Sequence, residues 1–160
     1  QEGDVAEVSS ASLALAYDIG ERIGEQGGCG LVIDYGYAES PLSSTLRGIV
    51  DHKFVPPLSA PGTVDLSVDV DFGALARAVA LTEVAQVRLW RAHGPITQNE
   101  FLQKMGIQHR LQSLLEAVED EDVQERLMGE AMRLLHEDEM GKVYKCMAIS
   151  AAGSPAVAFD

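Results

Sequence analysis

Three aspartates in the first half of the chain could bind a cation. Asp65, Asp69 and Asp71 alternate with apolar residues between Val64 and Phe72, so an extended backbone would place them together on one face. Carboxylates on an open face pair well with a guanidinium or an ammonium group. The alternative is that Asp71 caps the helical stretch that follows and that the other two aspartates are only solvated.

A second pair of polar residues directly follows a short apolar run. Asp34 and Tyr35 come after residues 30–33, a run that is typical of a central strand buried on both faces. Ligands in open α/β sheets bind outside the carboxyl ends of the strands. A carboxylate and a phenol at this position are therefore well placed to contact a substrate, although Asp34 could instead cap a turn.

Arg47 and His52 lie between residues 38 and 62, in a stretch rich in Pro, Ser and Gly that predicts a long loop. Loops of this length inside a compact domain are often functional, so His52 could act as a base, or it could be an ordinary surface histidine. Residues 47–55 could form a short strand pair within the loop. The four histidines and two cysteines show no metal-ligand spacing, and we expect no metal site. Cys29, at the edge of the predicted buried strand, is expected to be inert.

The elements that must position these residues follow from the spacing of apolar side chains. Residues 9–26 have helical spacing, and a glycine turn connects them to the strand at 30–33. A helix, a glycine turn and a buried strand in this order are half of a βαβ unit, which predicts an α/β fold with a parallel sheet. The order is the reverse of a nucleotide-binding loop, whose glycines follow a strand and precede a helix. Residues 85–93 predict a further strand that ends at the Gly94-Pro95 turn.

An acidic helical block occupies much of the second half. Thr97 and Glu100 have the spacing of a capping box and begin this block, and a last strand begins near Val143. Residues 98–140 hold eleven acidic and four basic residues, a net charge of −7. This block could be a surface for a basic partner.

The overall composition limits the classes of partner. The chain has 160 residues, 46% of them apolar, and a net charge of −13, which is typical of one acidic globular domain. The acidity argues against duplex nucleic acid or an anionic membrane, because both require clustered Lys and Arg. No apolar run approaches the ~20 residues of a membrane span. Two cysteines favour a reducing compartment, and residues 151–160 have the composition of a flexible tail.

Four segments make the sequence specific by their order and spacing: GLVIDYGY, TLRGIVDHKFVPPLSAPGTVDLSVDVDF, GPITQNEFLQKMGIQHRLQSLL and MGKVYK. Together they resemble the MidA-type family of S-adenosylmethionine-dependent methyltransferases. That family includes a mitochondrial protein arginine methyltransferase that serves in the assembly of respiratory complex I. The resemblance extends from about Leu13 to Ser150.

The resemblance implies a class I, Rossmann-like methyltransferase fold, of which residues 1–150 would form the C-terminal half. Residues 97–140 would then be a helical insertion before the last strand, and residues 151–160 a flexible tail. The strands near Val87 and Val143 would form the antiparallel edge of the sheet.

The resemblance also implies an activity, which is methylation of an arginine guanidinium on a protein partner, a complex I subunit in mitochondria. The glycine-rich loop for S-adenosylmethionine is expected upstream of Gln1, so this chain alone is expected to be inactive. Carboxylates would orient the planar cation and offset its charge. The candidate residues are Asp34, Tyr35 and His52 for catalysis and Arg47, Asp65, Asp69 and Asp71 for substrate binding. The alternative is a non-catalytic binding module, or an inactive fragment, that docks a basic partner.

Overall fold

The computed structural model describes residues 6–39, 43–80 and 89–159. The helices of these ranges are α1 (Ser10–Gln26), α2 (Phe72–Ala80), α3 (Gln98–Lys104), α4 (Ile107–Glu116) and α5 (Glu121–Leu135), followed by one π-helical turn at Glu137–Gly141. The strands are β1 (Cys29–Tyr37), β2 (Arg47–Val50), β3 (Lys53–Val55), β4 (Asp65–Ser67), β5 (Val70–Asp71), β6 (Trp90–Thr97) and β7 (Tyr144–Ala151).

The main sheet has four strands in the order β5-β1-β7-β6. β1 pairs in parallel with β5, while β7 pairs in antiparallel fashion with both β1 and β6. The predicted α/β class is confirmed, and so is the antiparallel edge at the last strand. The predicted parallel sheet is correct only for the β1–β5 pair, because β7 returns from the helical block against the direction of β1. Val87, near which the other edge strand was expected, lies outside the described residues.

The hydrophobic core lies between the sheet and the helices α1 and α2. Phe72, Val79, Met147 and Ile149 are almost completely excluded from solvent and form its centre. Burial of one such side chain stabilises the fold by about 1.5–3 kcal/mol. Because Phe72 is the first residue of α2, the core fixes the junction between β5 and this helix.

The two faces of β1 differ in exposure. Val32 lies opposite Met147 and packs against the core, whereas Leu31 and Ile33 on the other face are 50% and 47% exposed. The prediction of a strand buried on both faces is therefore wrong for the described residues. An apolar run shows that a strand is hydrophobic, but it does not show what covers each face. The same correction applies to Cys29, which is exposed rather than buried at the strand edge.

A second, three-stranded sheet in the order β3-β2-β4 lies beside the first. β2 and β3 form a hairpin, which confirms the predicted strand pair in residues 47–55. Its turn consists of Asp51 and His52, with positive φ values of 48° and 60°. Positive φ at both central residues is the geometry of the two-residue hairpin turn that matches the twist of paired strands.

Helices α3, α4 and α5 lie between β6 and β7 in the chain, as predicted for the helical block. The capping box is confirmed, because the Glu100 N–H donates to Thr97 Oγ1 and the Thr97 N–H donates to Glu100 Oε2. The predicted strand end at Gly94-Pro95 is wrong. β6 continues through this dipeptide, whose peptide bond is cis, and the pairing register shifts between His93 and Ile96.

The segment after β7 makes tertiary contacts. Ala156 and Ala158 are buried, and the Phe159 ring lies 5.7 Å from the ring of Phe101, measured between centroids. This segment has the expected turn composition, and at least these residues pack against the domain. Among the described residues, no helix has both the length and the apolar character that a membrane crossing requires.

Candidate functional site

The side chain of Arg47 is held by one carboxylate and two aromatic rings. Its Nη2 atom lies 2.7 Å from Oδ1 of Asp69. Its guanidinium carbon lies 5.0 Å from the ring centroid of Tyr35 and 5.8 Å from that of Phe54. A carboxylate together with aromatic faces is an arrangement that suits a planar cation. The structure therefore brings three of the predicted site residues together: Tyr35, Arg47 and Asp69.

The two sheets position this cluster jointly. Arg47 begins β2, and it lies opposite Ser67 of β4. The Ser67 hydroxyl is 2.8 Å from the hydroxyl of Tyr35 on β1, and the Tyr35 ring meets the Tyr144 ring edge-on at 5.8 Å. Tyr35 thus connects the carboxyl end of β1 to the second sheet, and the ring that faces Arg47 is fixed from two sides.

A cavity of about 870 Å³ opens beside this cluster. It lies at the carboxyl ends of the parallel strands β1 and β5, where Tyr37 pairs with Asp71. This is the end of an α/β sheet at which ligands usually bind. Its apolar walls include Val8, Leu13, Leu46, Val68, Val70 and Leu75, and the charged groups among the described lining residues are Glu7, Asp69, Asp71 and Arg77.

The electrostatic character of the cavity is visible at Tyr37. Burial raises the pKa of the Tyr37 hydroxyl above its usual value, and three carboxylates raise it further, namely those of Asp71, Glu7 and Asp69. A phenol is harder to ionise where the potential is negative. Among the described lining residues three carboxylates outnumber the one guanidinium, that of Arg77, so the cavity favours a cation, and its apolar walls favour one with a hydrocarbon stem.

Asp71 both caps helix α2 and lines the cavity. Its Oδ1 atom accepts a hydrogen bond of 2.7 Å from the backbone N–H of Ala74 in the first turn of α2, as predicted for a helix cap. Asp71 also lines the cavity. The two interpretations that the sequence left open are thus compatible, because a capping carboxylate still presents a negative charge to the cavity.

Asp34, Asp65 and His52 lie outside the cavity lining, as do Tyr35 and Arg47. Asp34 accepts a hydrogen bond of 2.8 Å from the backbone N–H of Tyr35 and lies opposite Lys145 in the β1–β7 pair. Asp65 is exposed at the start of β4, opposite Ile49. His52 is exposed in the β2–β3 turn. The alternation between Val64 and Phe72 therefore does not continue as one strand, because β4 ends at Ser67 and β5 belongs to the other sheet.

Sequence reasoning missed Glu7, whose carboxylate lines the same cavity. It accepts hydrogen bonds from the hydroxyl groups of Ser44 and Thr45 and from the backbone N–H groups of Thr45 and Leu46. The hydrogen bond from the Thr45 side chain is the main cause that lowers the pKa of Glu7. No local motif marks this residue, since its partners are about 38 positions away.

The described residues do not offer a glycine-rich cofactor turn. Two described strands continue directly into helices, β5 at Phe72 and β6 at Gln98. The first junction has a single glycine, Gly73, at which a Cβ would overlap the carbonyl oxygen of Ala38, and the second has none. In the same part of the chain, no three His, Cys, Asp or Glu residues are grouped to hold a metal ion.

Comparison with known proteins connects this site to a family. A family model described as a putative S-adenosyl-L-methionine-dependent methyltransferase matches residues 1–89. The chain is also similar to curated proteins named "Protein arginine methyltransferase NDUFAF7, mitochondrial". It is 37% identical to the protein from Xenopus tropicalis over 146 residues and 36% identical to that from Homo sapiens over 146 residues. These alignments cover 91% of this chain but only 32% and 31% of the relatives, so the chain spans about a third of their length.

Two solved structures from Burkholderia thailandensis have a similar fold. One, of an uncharacterized protein, superposes with a TM-score of 0.76 at 21% identity and covers 98% of this chain and 43% of that one. The other, solved with S-adenosyl-homocysteine bound, superposes with a TM-score of 0.74 at 24% identity and covers 99% and 40%. At these identities the likeness shows the fold.

Proposed function

The chain belongs to the family of putative S-adenosyl-L-methionine-dependent methyltransferases, whose model matches more than half of its length, and from this premise we propose that the protein methylates arginine side chains. The relatives named as arginine methyltransferases support the choice of substrate. Residues 1–150 would form the C-terminal half of the domain, with residues 97–140 as its helical insertion and residues 151–160 as a tail.

One observation carries the proposal beyond family membership, namely the negatively charged cavity at the carboxyl ends of β1 and β5. An arginine side chain has a hydrocarbon stem that fits apolar walls and a guanidinium that fits carboxylates. Asp69 and Asp71 line the cavity together with Tyr37, which is the partner of Asp71 in the β1–β5 pair. We assign Asp69 and Asp71 the role of binding the substrate guanidinium.

The chemistry divides between the cofactor and this chain. S-adenosylmethionine would supply the methyl group and would be bound mainly by residues outside this chain. The carboxylates described above would hold the guanidinium in one orientation, which is a large part of the catalysis of any transfer between two bound groups. They would also offset the positive charge of the substrate while the cationic cofactor is near.

Arg47 and Tyr35 hold the Asp69 carboxylate in place. Arg47 forms an ion pair with Asp69, and its guanidinium lies over the ring of Tyr35. Asp34 remains a candidate catalytic residue, since it lies on the same strand two residues before the parallel pair with β5 begins. Asp65 and His52 do not line the cavity. They would act only if the protein substrate extended over the second sheet.

The partner and the compartment are proposals by relationship. The relatives carry the word mitochondrial in their names, and we propose that this protein acts in mitochondria on a protein substrate, with a complex I subunit as the specific candidate. The acidic block of α3, α4 and α5 would attract a basic segment of that substrate toward the domain.

The test is methyl transfer by the full-length protein to purified complex I subunits, with labelled S-adenosylmethionine and mass spectrometry of arginine peptides. We expect methylarginine in at least one subunit and none without the enzyme. Label on lysine or on a small molecule would contradict the arginine assignment. Absence of cofactor binding to the full-length protein, combined with retained binding of a basic subunit, would instead support the non-catalytic module.

A further inference from the structure

The segment before α1 is tied to the candidate site by the carboxylate of Glu7. Its Oε1 atom accepts from Ser44 Oγ at 2.8 Å, from the Thr45 N–H at 2.9 Å and from the Leu46 N–H at 3.1 Å. Its Oε2 atom accepts from Thr45 Oγ1 at 2.6 Å. Four donors thus converge on one side chain, which can accept at all four positions only as an ionised carboxylate.

The Thr45 hydroxyl connects Glu7 to Asp69 through two hydrogen bonds. Because its proton points to Glu7, its lone pairs are free to accept, and the backbone N–H of Asp69 donates to it at 2.9 Å. A hydroxyl can donate one hydrogen bond and accept others, so it can connect an acceptor on one side to a donor on the other. Glu7, Thr45 and Asp69 therefore form a hydrogen-bond relay.

Arg47 closes the relay into a ring of contacts. Its Nη1 atom donates to the carbonyl oxygen of Thr45 at 3.3 Å, and its Nη2 atom pairs with the Asp69 carboxylate at 2.7 Å. Asp69 is thus held at its backbone by the Thr45 side chain and at its carboxylate by Arg47. Loss of the Thr45 hydroxyl would remove the acceptor of the Asp69 backbone N–H, and the backbone that positions this carboxylate would be less constrained.

We propose that Glu7 and Thr45 are positioning residues of the guanidinium-binding site and act through this relay on Asp69. The inference deepens the proposed function and rests on it for the role of Asp69 toward the substrate. The relay itself rests only on the geometry. It makes the segment before α1 a part of the site, although nothing in its local sequence indicates this.

The chemistry of the relay predicts which replacements it tolerates. A glutamine at position 7 could keep its amide oxygen toward Ser44, Thr45 and Leu46 and donate to the Thr45 hydroxyl, so Glu7→Gln would not test the relay. Glu7→Ala removes every acceptor of the carboxylate and should disrupt the relay. Thr45→Ser retains the hydroxyl and should preserve the relay, whereas Thr45→Val retains the shape and should abolish it.

The experiment uses the full-length protein and two independent readouts. The first is amide hydrogen exchange at Asp69, because its N–H is the donor at the end of the relay. The second is the steady-state kinetics of methyl transfer to an arginine-containing substrate protein. The variants are Thr45→Val, Thr45→Ser and Glu7→Ala. Thr63→Val is the matched control, since the Thr63 hydroxyl donates to the carbonyl oxygen of Ala60 within an exposed turn.

We expect Thr45→Val and Glu7→Ala to accelerate exchange at Asp69 by about tenfold, the effect of one net hydrogen bond. The same variants should raise KM for the protein substrate by a similar factor, with kcat and cofactor affinity nearly unchanged. Thr45→Ser and Thr63→Val should behave as the wild type. A merely structural role would not give this KM effect together with rescue by serine.

Unchanged exchange at Asp69 in Thr45→Val would overturn the relay. Faster exchange with an unchanged KM would overturn the positioning role and leave the relay as a structural tie. A wild-type protein without arginine methylation would refute the proposed function, and the exchange data would still decide the relay. Circular dichroism of each variant separates these outcomes from unfolding.

Discussion

The carboxylate of Asp69 faces two environments, the guanidinium of Arg47 at 2.7 Å and the open cavity. The ion pair is partly exposed, with side-chain exposures of 26% and 28%. Such pairs contribute at most about 1 kcal/mol to folding. The pair therefore contributes little to stability, and its main effect is to fix the position of the Asp69 carboxylate. Asp69 can for this reason be replaced without unfolding the protein.

Asp69→Asn should lower kcat/KM for arginine methylation by about tenfold to a hundredfold, the value of one hydrogen bond to a charged group. The side chain keeps its size and loses only its charge. Cofactor binding, measured by calorimetry on the full-length protein, should not change. Asp65→Asn is the matched control, because Asp65 lies outside the cavity lining. A similar loss in both variants would show that general acidity, and not this position, matters.

Gly36→Ala should weaken the pairing of β1 with β5 beside the cavity. A Cβ at Gly36 would overlap the carbonyl oxygen of Val70, its partner in the parallel pair, so β1 and β5 would have to separate. We expect a loss of about 1–3 kcal/mol in the free energy of unfolding, as for other overpacked sites. Urea denaturation measures it. Gly30→Ala is the control, since a Cβ there would meet Ile19 at 3.4 Å, an ordinary contact.

The two cysteines should react very differently. Burial raises the pKa of the Cys146 thiol to about 11, and its side chain is inaccessible, whereas Cys29 is exposed. At pH 8 iodoacetamide should label Cys29 and leave Cys146 unmodified, because the thiolate is the reactive form. Peptide mass mapping gives the result. Labelling of both cysteines in urea is the control, and fast labelling of Cys146 in the native protein would contradict its buried position.

The capping box at the start of α3 makes a measurable contribution to stability. Thr97→Ala should cost about 1 kcal/mol of unfolding free energy, and Thr97→Ser should cost much less, since serine supplies the same acceptor. Chemical denaturation at pH 7 separates the two variants. Equal losses for alanine and serine would show that the Thr97 methyl group, rather than its oxygen, stabilises the helix.

The same capping box predicts a pH dependence. Hydrogen bonds from Thr97, first of all from its backbone, lower the pKa of Glu100 in the folded protein. The ionised form is therefore stabilised by folding, and this contribution is complete above the unfolded-state pKa of about 4.3. It should be lost as the pH falls through the lower folded-state pKa. The stability difference between the wild type and Glu100→Gln should thus shrink between pH 5 and pH 3, as measured by urea denaturation.

The sequence predicted features that depend on near neighbours. The Thr97–Glu100 capping box, the cap at Asp71 and the β2–β3 hairpin each involve residues a few positions apart, so local spacing was sufficient. The family motifs predicted the antiparallel edge. These features place Asp71 at the site, and they position Arg47 at the start of a strand.

The site itself depended on distant contacts that spacing does not encode. Glu7 meets Thr45 across 38 positions, and Tyr35 meets Ser67 across 32. Leu31 and Ile33 are as apolar as any buried strand, so their exposure could not be deduced from the run alone. The alternation of polar and apolar residues predicts that Asp65 and Asp69 share one face, but β4 ends between them.

The pairing of β1 with β7 has a consequence for how the domain assembles. Cys29 and Ser150 are direct partners although about 120 residues separate them in the chain, whereas the contacts of α4 with α5 close within a few turns of helix. Contacts between distant residues form slowly, because the entropy of closing the intervening chain must be overcome first. The helical block should therefore acquire structure early in refolding. The cavity, which needs the finished sheet, should be among the last parts of the protein to form.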